Sequence, residues 1–300
     1  MHDLIIVGGG PAGLTAAVYA IRKRLDVILV SQDLGGKINY TMSLPDMEPY
    51  QVIRGADIVE KFWQELDYLD FARRLESVTA VTQSNNTFTV HLADQTTLAA
   101  RAIIYAAGVR VQRLDVPGER RFLGRGVSYS AISHAHLFIG KNVIIVGDGP
   151  RAHRAVAELL QTANQVHLVT PAGEAGKTLR ELAANREKLT LWPGYRLLEI
   201  AGDDFVAQVT MQAPGGDVET LYIDGLFIEL NLIPNTQPLA SLVELNEQGR
   251  IIVNKLNHTS CPGLFAAGDI TDICVEQVLV AVGEGAKAAL SAYDYLLPAF

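Results

Sequence analysis

Gly8, Gly10 and Gly13 are spaced as G-x-G-x-x-G, and Gly147, Gly149 and Ala152 repeat the pattern as G-x-G-x-x-A. Small residues at these places allow a tight turn, let a pyrophosphate approach the backbone, and let a helix pack closely on a strand. The start of the following helix presents free N–H groups and a positive dipole end to the phosphates. The chemistry implied is dinucleotide binding, and two copies imply two such sites. Pro11 and Ala12 lie within the first turn, and Pro150 and Arg151 within the second, where Arg151 and Arg154 add positive charge. A tight turn without a ligand is the plainer reading of a lone glycine pattern, but here a strand precedes and a helix follows each copy.

The elements that must position these residues are legible in the hydrophobic pattern. Residues 4–7 form an apolar run that reads as a buried parallel strand, and residues 11–22 turn helical. Residues 25–30 read as the second strand. It ends at Ser31 and Gln32, where dinucleotide folds usually carry an acid for the ribose hydroxyls. A serine can still bond a ribose, less strongly than a carboxylate. Gly35 and Gly36, followed by Lys37 and Ile38, make a flexible turn that lets backbone come near a ligand. Residues 56–71 are helical by pattern. Residues 78–81 and 87–92 alternate as a hairpin about Asn85-Asn86, with Val78 at its start. Residues 102–106 form another buried strand, ending at Ala107-Gly108. In the second copy, residues 142–146 are a strand, 151–160 a helix, and 165–169 the next strand. Residues 205–211 and 219–223 read as a hairpin about Pro214-Gly215-Gly216. Residues 226–233 are a further strand, and a long Ala-rich helix begins near Val275.

A chain of 300 residues suggests roughly two domains. With 49% hydrophobic and 19% charged residues it has an ordinary globular composition. A net charge of −8 argues against nucleic-acid and anionic-membrane partners. No apolar run reaches the roughly 20 residues of a membrane helix. The first strand begins at Asp3, which leaves no room for a leader, so a cytoplasmic location is expected. The two cysteines, Cys261 and Cys274, form no C-x-x-C and imply no disulfide framework.

Taken in order, GGGPAG at Gly8, GG at Gly35, IIYAAG ending at Gly108, VPGE at Val116, GDGPRA at Gly147 and TSCPGLFAAGDITD from Thr259 resemble the low-molecular-weight thioredoxin reductase family of FAD-dependent pyridine-nucleotide oxidoreductases. The resemblance covers nearly the whole chain. It implies an α/β fold of two nested Rossmann-like, three-layer ββα nucleotide-binding domains. A FAD domain takes residues 1–114 and 245–300, and a second dinucleotide domain, 115–244, is inserted. It further implies that Gly8, Gly10, Pro11, Ala12 and Gly13 face the FAD pyrophosphate. Ser31, Gln32 and Val78 then lie toward the adenosine end. Gly35, Gly36, Lys37, Ile38, Asp46, Ala107 and Gly108 surround the flavin ring. Gly268 and Asp269 hold the ribityl chain, and Glu276, Gln277 and Val278 the pyrimidine end. Asp269 suits that role chemically, since a carboxylate at a strand end accepts hydrogen bonds from hydroxyls; a helix N-cap is the alternative. The family usually forms a homodimer.

Four departures from the family pattern bear on function. Ser130 and Ser133 stand where the family has its C-x-x-C, and a hydroxyl cannot exchange with a disulfide. The stretch 170–177, T-P-A-G-E-A-G-K, lacks the arginines that grip a 2′-phosphate, so NADPH is not expected. Asn231 replaces a glycine that leaves room for a nicotinamide cofactor. Val275-Glu276 replaces a Tyr-Arg pair. The leading expectation is a flavin oxidoreductase without a redox disulfide. It would be fed by a carrier such as ferredoxin, or would hold a second FAD or other dinucleotide at Gly147, with Tyr129, Phe138, Trp192 and Tyr195 as stacking candidates. The alternatives are an NAD(P)H-dependent flavin reductase of ferredoxin–NADP reductase type, whose covering C-terminal segment is not seen here, and a FAD-binding module that has lost turnover.

Overall fold

The computed structural model describes residues 1–40, 42–45, 57, 60, 61, 64, 72–173, 176–184, 187–239, 241–273 and 275–297. Asp46, Cys274 and most of the helix expected over 56–71 lie outside them. Strands β1 to β6 are His2–Val7, Val27–Ser31, Arg73–Leu75, Val78–Ser84, Thr87–Leu92 and Thr97–Tyr105. β7 is Val109–Val111, β8 Val127–Ser128, β9 Asn142–Val146, β10 Gln165–Thr170 and β11 Leu189–Pro193. β12 is Arg196–Gly202, β13 Val206–Gln212, β14 Val218–Tyr222, β15 Gly225–Ile228, β16 Leu232–Pro234 and β17 Leu264–Ala266. Helices α1 to α6 are Pro11–Arg22, Glu119–Phe122, Ala131–His134, Pro150–Thr162, Lys177–Ala184 and Val278–Leu296.

The described residues fall into two units, one within Met1–Asn39, Gln51–Arg110 and Ile233–Phe300, the other within Tyr40–Tyr50 and Val111–Leu232. Residues 233–244, expected in the insert, belong to the first unit, because Leu239 and Val243 pack in its core with Ile251. Met42 and Leu44 join the core of the second.

In the first unit the sheet order is β3-β2-β1-β6-β5-β4, and β17 also pairs with β6. β3, β2, β1, β6 and β17 are parallel, and β4 and β5 extend the sheet antiparallel. The continuous apolar run of β1 follows from cover on both faces. Leu4 and Ile6 pack with Leu29, Ile104 and the alanines of α1 and α6, while Ile5 and Val7 pack with Val30, Phe88 and Ile103. Helix α6 lies so close on α1 that a Cβ on Gly285 would stand 2.1 Å from Ala12 O. The hairpin turn holds Asn85 and Asn86 at φ 47° and 61°, the left-handed pair that a two-residue turn requires. β2 starts two residues later than the pattern suggested, because Arg24 turns left-handed at φ 61° and Leu25 N–H closes on Ala20 O.

In the second unit the parallel sheet runs β11-β10-β9-β15-β8. Val143 and Ile145 of β9 pack with Ala155, Val156 and Leu159 of α4, and Ile144 and Val146 pack with Val209 and Met211 of the antiparallel sheet β12-β13-β14. The hairpin about 214–216 is thus part of a three-stranded sheet. Its first strand, β12, carries Glu199 between two register shifts, so its alternation is broken and the pattern did not show it. The strand expected over 226–233 ends at Ile228, where the carboxylate Glu229 takes the next position.

Candidate functional site

The first glycine turn has one open position between two closed ones. Gly8 has φ +111°, and a Cβ there would stand 2.3 Å from Ala106 O. A Cβ on Gly13 would stand 1.8 Å from Gly8 O. Gly10, by contrast, has no atom within 4 Å of where its Cβ would be. It is the N-cap of α1 and supplies no side-chain cap, and Pro11 at N1 has no N–H to offer. The Ala12 and Gly13 N–H groups therefore lie in the first turn, which has no intrahelical acceptor for them. An open cradle with backbone donors at a helix start fits the pyrophosphate of a dinucleotide.

The neighbouring segments are tied to this turn. Ser31 Oγ accepts from Gly9 N–H at 2.8 Å, and Gly35 N–H donates to Gly9 O at 2.7 Å. A Cβ on Gly36 would lie 3.4 Å from Gly10 Cα, so the second glycine pair runs along the first. Gln32 Nε2 donates to Ser77 Oγ at 2.5 Å, just before Val78. Ile38 packs at the rim of the α1 and α6 core. Gly268, at φ +79°, brings its backbone against Ala12, 3.0 Å from the Cβ it lacks to the alanine Cβ. Asn235, which the motif reading passed over, holds the other rim: its N–H donates to Gly108 O at 3.1 Å and its Nδ2 to Ala107 O at 2.8 Å.

Charge gathers at the end of β17. Lys37 Nζ is 2.7 Å from Asp269 Oδ2 and 4.0 Å from Glu276 Oε2. Gln277 caps α6 without a side-chain bond, leaving Val278 as its first residue. Arg250 joins this group with no motif to announce it, only an isolated cation after the Asn246–Gly249 turn. All the first-unit residues picked from the sequence are thus brought into one neighbourhood, except Asp46, which lies outside the described residues.

The second turn is built alike but differently charged. A Cβ on Gly147 would stand 2.4 Å from Glu229 O, whereas Gly149 is open except for Asn231 Oδ1 at 3.8 Å. Gly149 is the N-cap of α4 without a side-chain cap, and Pro150 takes N1. Arg151 turns away from this opening: its Nη2 meets Glu229 Oε2 at 2.8 Å and Tyr129 O at 3.0 Å. Ala152 is buried against the strand. Asp148 Oδ1 accepts from Ala172 N–H at 3.1 Å, setting a carboxylate between the two glycines. Arg154 is exposed. Glu174 lies outside the described residues.

Ser130 and Ser133 are hydrogen-bonded partners, Oγ to Oγ at 3.0 Å, and Ser130 caps α3 by accepting from Ser133 N–H at 3.4 Å. Beside them Ser128 Oγ lies 2.8 Å from His134 Nδ1. Burial, with His136 nearby, lowers the His134 pKa to about 4, so the ring is neutral and accepts this bond. Ser128 is 2% exposed, which shuts it off as a nucleophile. Of the stacking candidates, Phe138 is core, edge-on to Phe227 at 4.9 Å. Tyr129 donates its hydroxyl to the buried Glu119 at 2.7 Å. Trp192 and Tyr195 pack edge to face at 5.0 Å. Cys261 is buried and its thiol pKa is raised by desolvation. Among the described residues no cluster could hold a metal, and no helix is long and apolar enough to cross a membrane.

Known proteins share this arrangement. The flavoprotein-sized match in Staphylococcus epidermidis, a component of alkyl hydroperoxide reductase, is 30% identical over 304 residues, covering 99% of this chain but 59% of the relative. A NADH dehydrogenase of Bacillus subtilis is 33% identical over 305 residues, covering 98% of this chain and 58% of the relative. The chain thus spans somewhat under two thirds of the length of these relatives. The thioredoxin reductase structure from Streptococcus pyogenes superposes with a TM-score of 0.89 at 31% identity, covering 99% of this chain and 98% of that one. The structure from Giardia duodenalis gives 0.86 at 28%, covering 98% of each. The family model for pyridine nucleotide-disulphide oxidoreductases matches residues 2–285, and with the Rossmann-like turns of both units in place the chain belongs to that family.

Proposed function

We propose that this chain binds FAD at the Gly8 turn and passes electrons without a thiol relay. The observation that carries the reading is the Ser130–Ser133 pair. Its two hydroxyls are hydrogen-bonded to each other where the family resemblance places a dithiol. Bound FAD would supply two-electron redox chemistry. The chain's own part is to hold it. Ala12 and Gly13 N–H groups meet the pyrophosphate, Asp269 takes the ribityl hydroxyls, and Lys37 keeps Asp269 ionised and oriented.

The second turn supports a donor other than NADPH. Arg151 is engaged by Glu229, Asp148 places negative charge beside the phosphate position, and Asn231 stands at the opening of Gly149. A ferredoxin-like carrier, or a second FAD at Gly147, takes the place of that donor in this reading, and the working unit is a homodimer. Flavin content per chain after acid release tests it. One or two FAD per chain are expected, two marking an occupied Gly147 turn, and a protein that refuses FAD on reconstitution overturns it. The name of the Bacillus subtilis relative favours a second reading, with NADH as donor. Rapid flavin bleaching on mixing with NADH in a stopped-flow instrument would favour it over the carrier.

A further inference from the structure

Arg250 has no place in any motif, yet it is the most enclosed member of the charged group at the FAD turn. Its Nη2 lies 2.5 Å from Glu276 Oε1, and its Nη1 donates to Asp269 O at 2.6 Å. Asp269 Oδ2 is in turn 2.7 Å from Lys37 Nζ. The side chains are 15% exposed at Arg250, 16% at Asp269 and 22% at Glu276, so solvent screens them weakly. The backbone that carries Arg250 is itself fixed. Arg250 N–H donates to Asn246 Oδ1 at 2.9 Å, and Ile251 N–H to Ile270 O at 2.9 Å, next to Asp269. A guanidinium can serve a carboxylate and a carbonyl at once in a set plane, which an ammonium cannot.

We propose that Arg250 is a positioning residue of the FAD site that acts through Glu276, and that this pair sets how readily the site accepts electrons. The inference rests on FAD occupying the Gly8 turn. Glu276 stands just before the N-cap of α6, so its carboxylate sits where charge from a reduced ring would accumulate. Among the described residues the group contains two cations and two carboxylates. Removing Arg250 leaves Glu276 with less compensation and makes further negative charge unfavourable. Removing the Glu276 charge does the opposite. A purely structural brace would move both variants the same way.

The test is the midpoint potential of the FAD-loaded full chain, read by equilibration with a reference dye. Arg250→Met should lower it by at least about 30 mV, a tenfold change in the two-electron equilibrium. Glu276→Gln should raise it by at least tenfold in the same constant, and the double variant should fall between the two. Shifts of the same sign, a shift under tenfold in either single variant, or a double variant outside the two singles overturns the proposal. If Arg250→Met cannot retain flavin, Glu276→Gln alone decides by the sign and size of its shift. A wild-type protein without FAD overturns the FAD reading and this inference together, whereas flavin-loaded variants with unshifted potentials overturn this inference only.

Discussion

Arg151 Nη2 lies 2.8 Å from Glu229 Oε2, and that carboxylate is 4% exposed. The other oxygen, Oε1, accepts from Ala131 N–H at 2.6 Å, at the start of α3. One ion pair therefore joins the first turn of α4, the end of β15 and the serine segment. The second glycine turn keeps its shape by directing its nearest cation into the protein and not toward a phosphate.

Breaking this pair should destabilise the second unit. Arg151→Met leaves the buried Glu229 without its guanidinium, a change that typically costs about 3 kcal/mol. Glu229→Gln keeps an oxygen for the Ala131 N–H and should cost less. Urea unfolding followed by tryptophan emission reads both. An unchanged midpoint in Arg151→Met would show that the pair contributes no stability.

Gly10 and Gly13 should separate ligand binding from folding. A Cβ at Gly13 would stand 1.8 Å from Gly8 O, so Gly13→Ala must move backbone and should cost at least about 1–3 kcal/mol. A Cβ at Gly10 meets nothing within 4 Å. Gly10→Ala should therefore fold within about 0.5 kcal/mol of the parent, while losing at least tenfold in FAD affinity by flavin titration. Retained affinity in Gly10→Ala would mean that the cradle does not face the cofactor.

His134 should make stability depend on pH. Its pKa is lowered to about 4 in the folded chain, chiefly by burial, against an ordinary 6.5. Between those values the unfolded chain binds the proton and the folded chain does not, so stability falls as pH falls through this window. The contribution is fully present above the ordinary histidine range and is lost by about pH 4. Its size is of the order of 3 kcal/mol at most. His134→Gln should flatten the profile of urea midpoints between pH 7 and pH 4, and an unaltered slope would remove His134 as its cause.

The sequence by itself determined both glycine turns, the strands that enter them and the helices that leave them. Those features are local: β1 and α1 are read from residues 2–22 alone, because glycine spacing and hydrophobic period act within a few turns of chain. It also determined what chemistry is missing, since a serine at 130 or 133 is not a thiol in any fold. Tertiary structure alone decided where the charges go. Arg151 was read as a phosphate contact and instead meets Glu229, from a strand 78 residues further on. Arg250 meets Glu276 and Asp269 through partners that no spacing rule connects. A long, flexible cation chooses its partner by distance in space, and parallel pairing brings distant strand ends side by side.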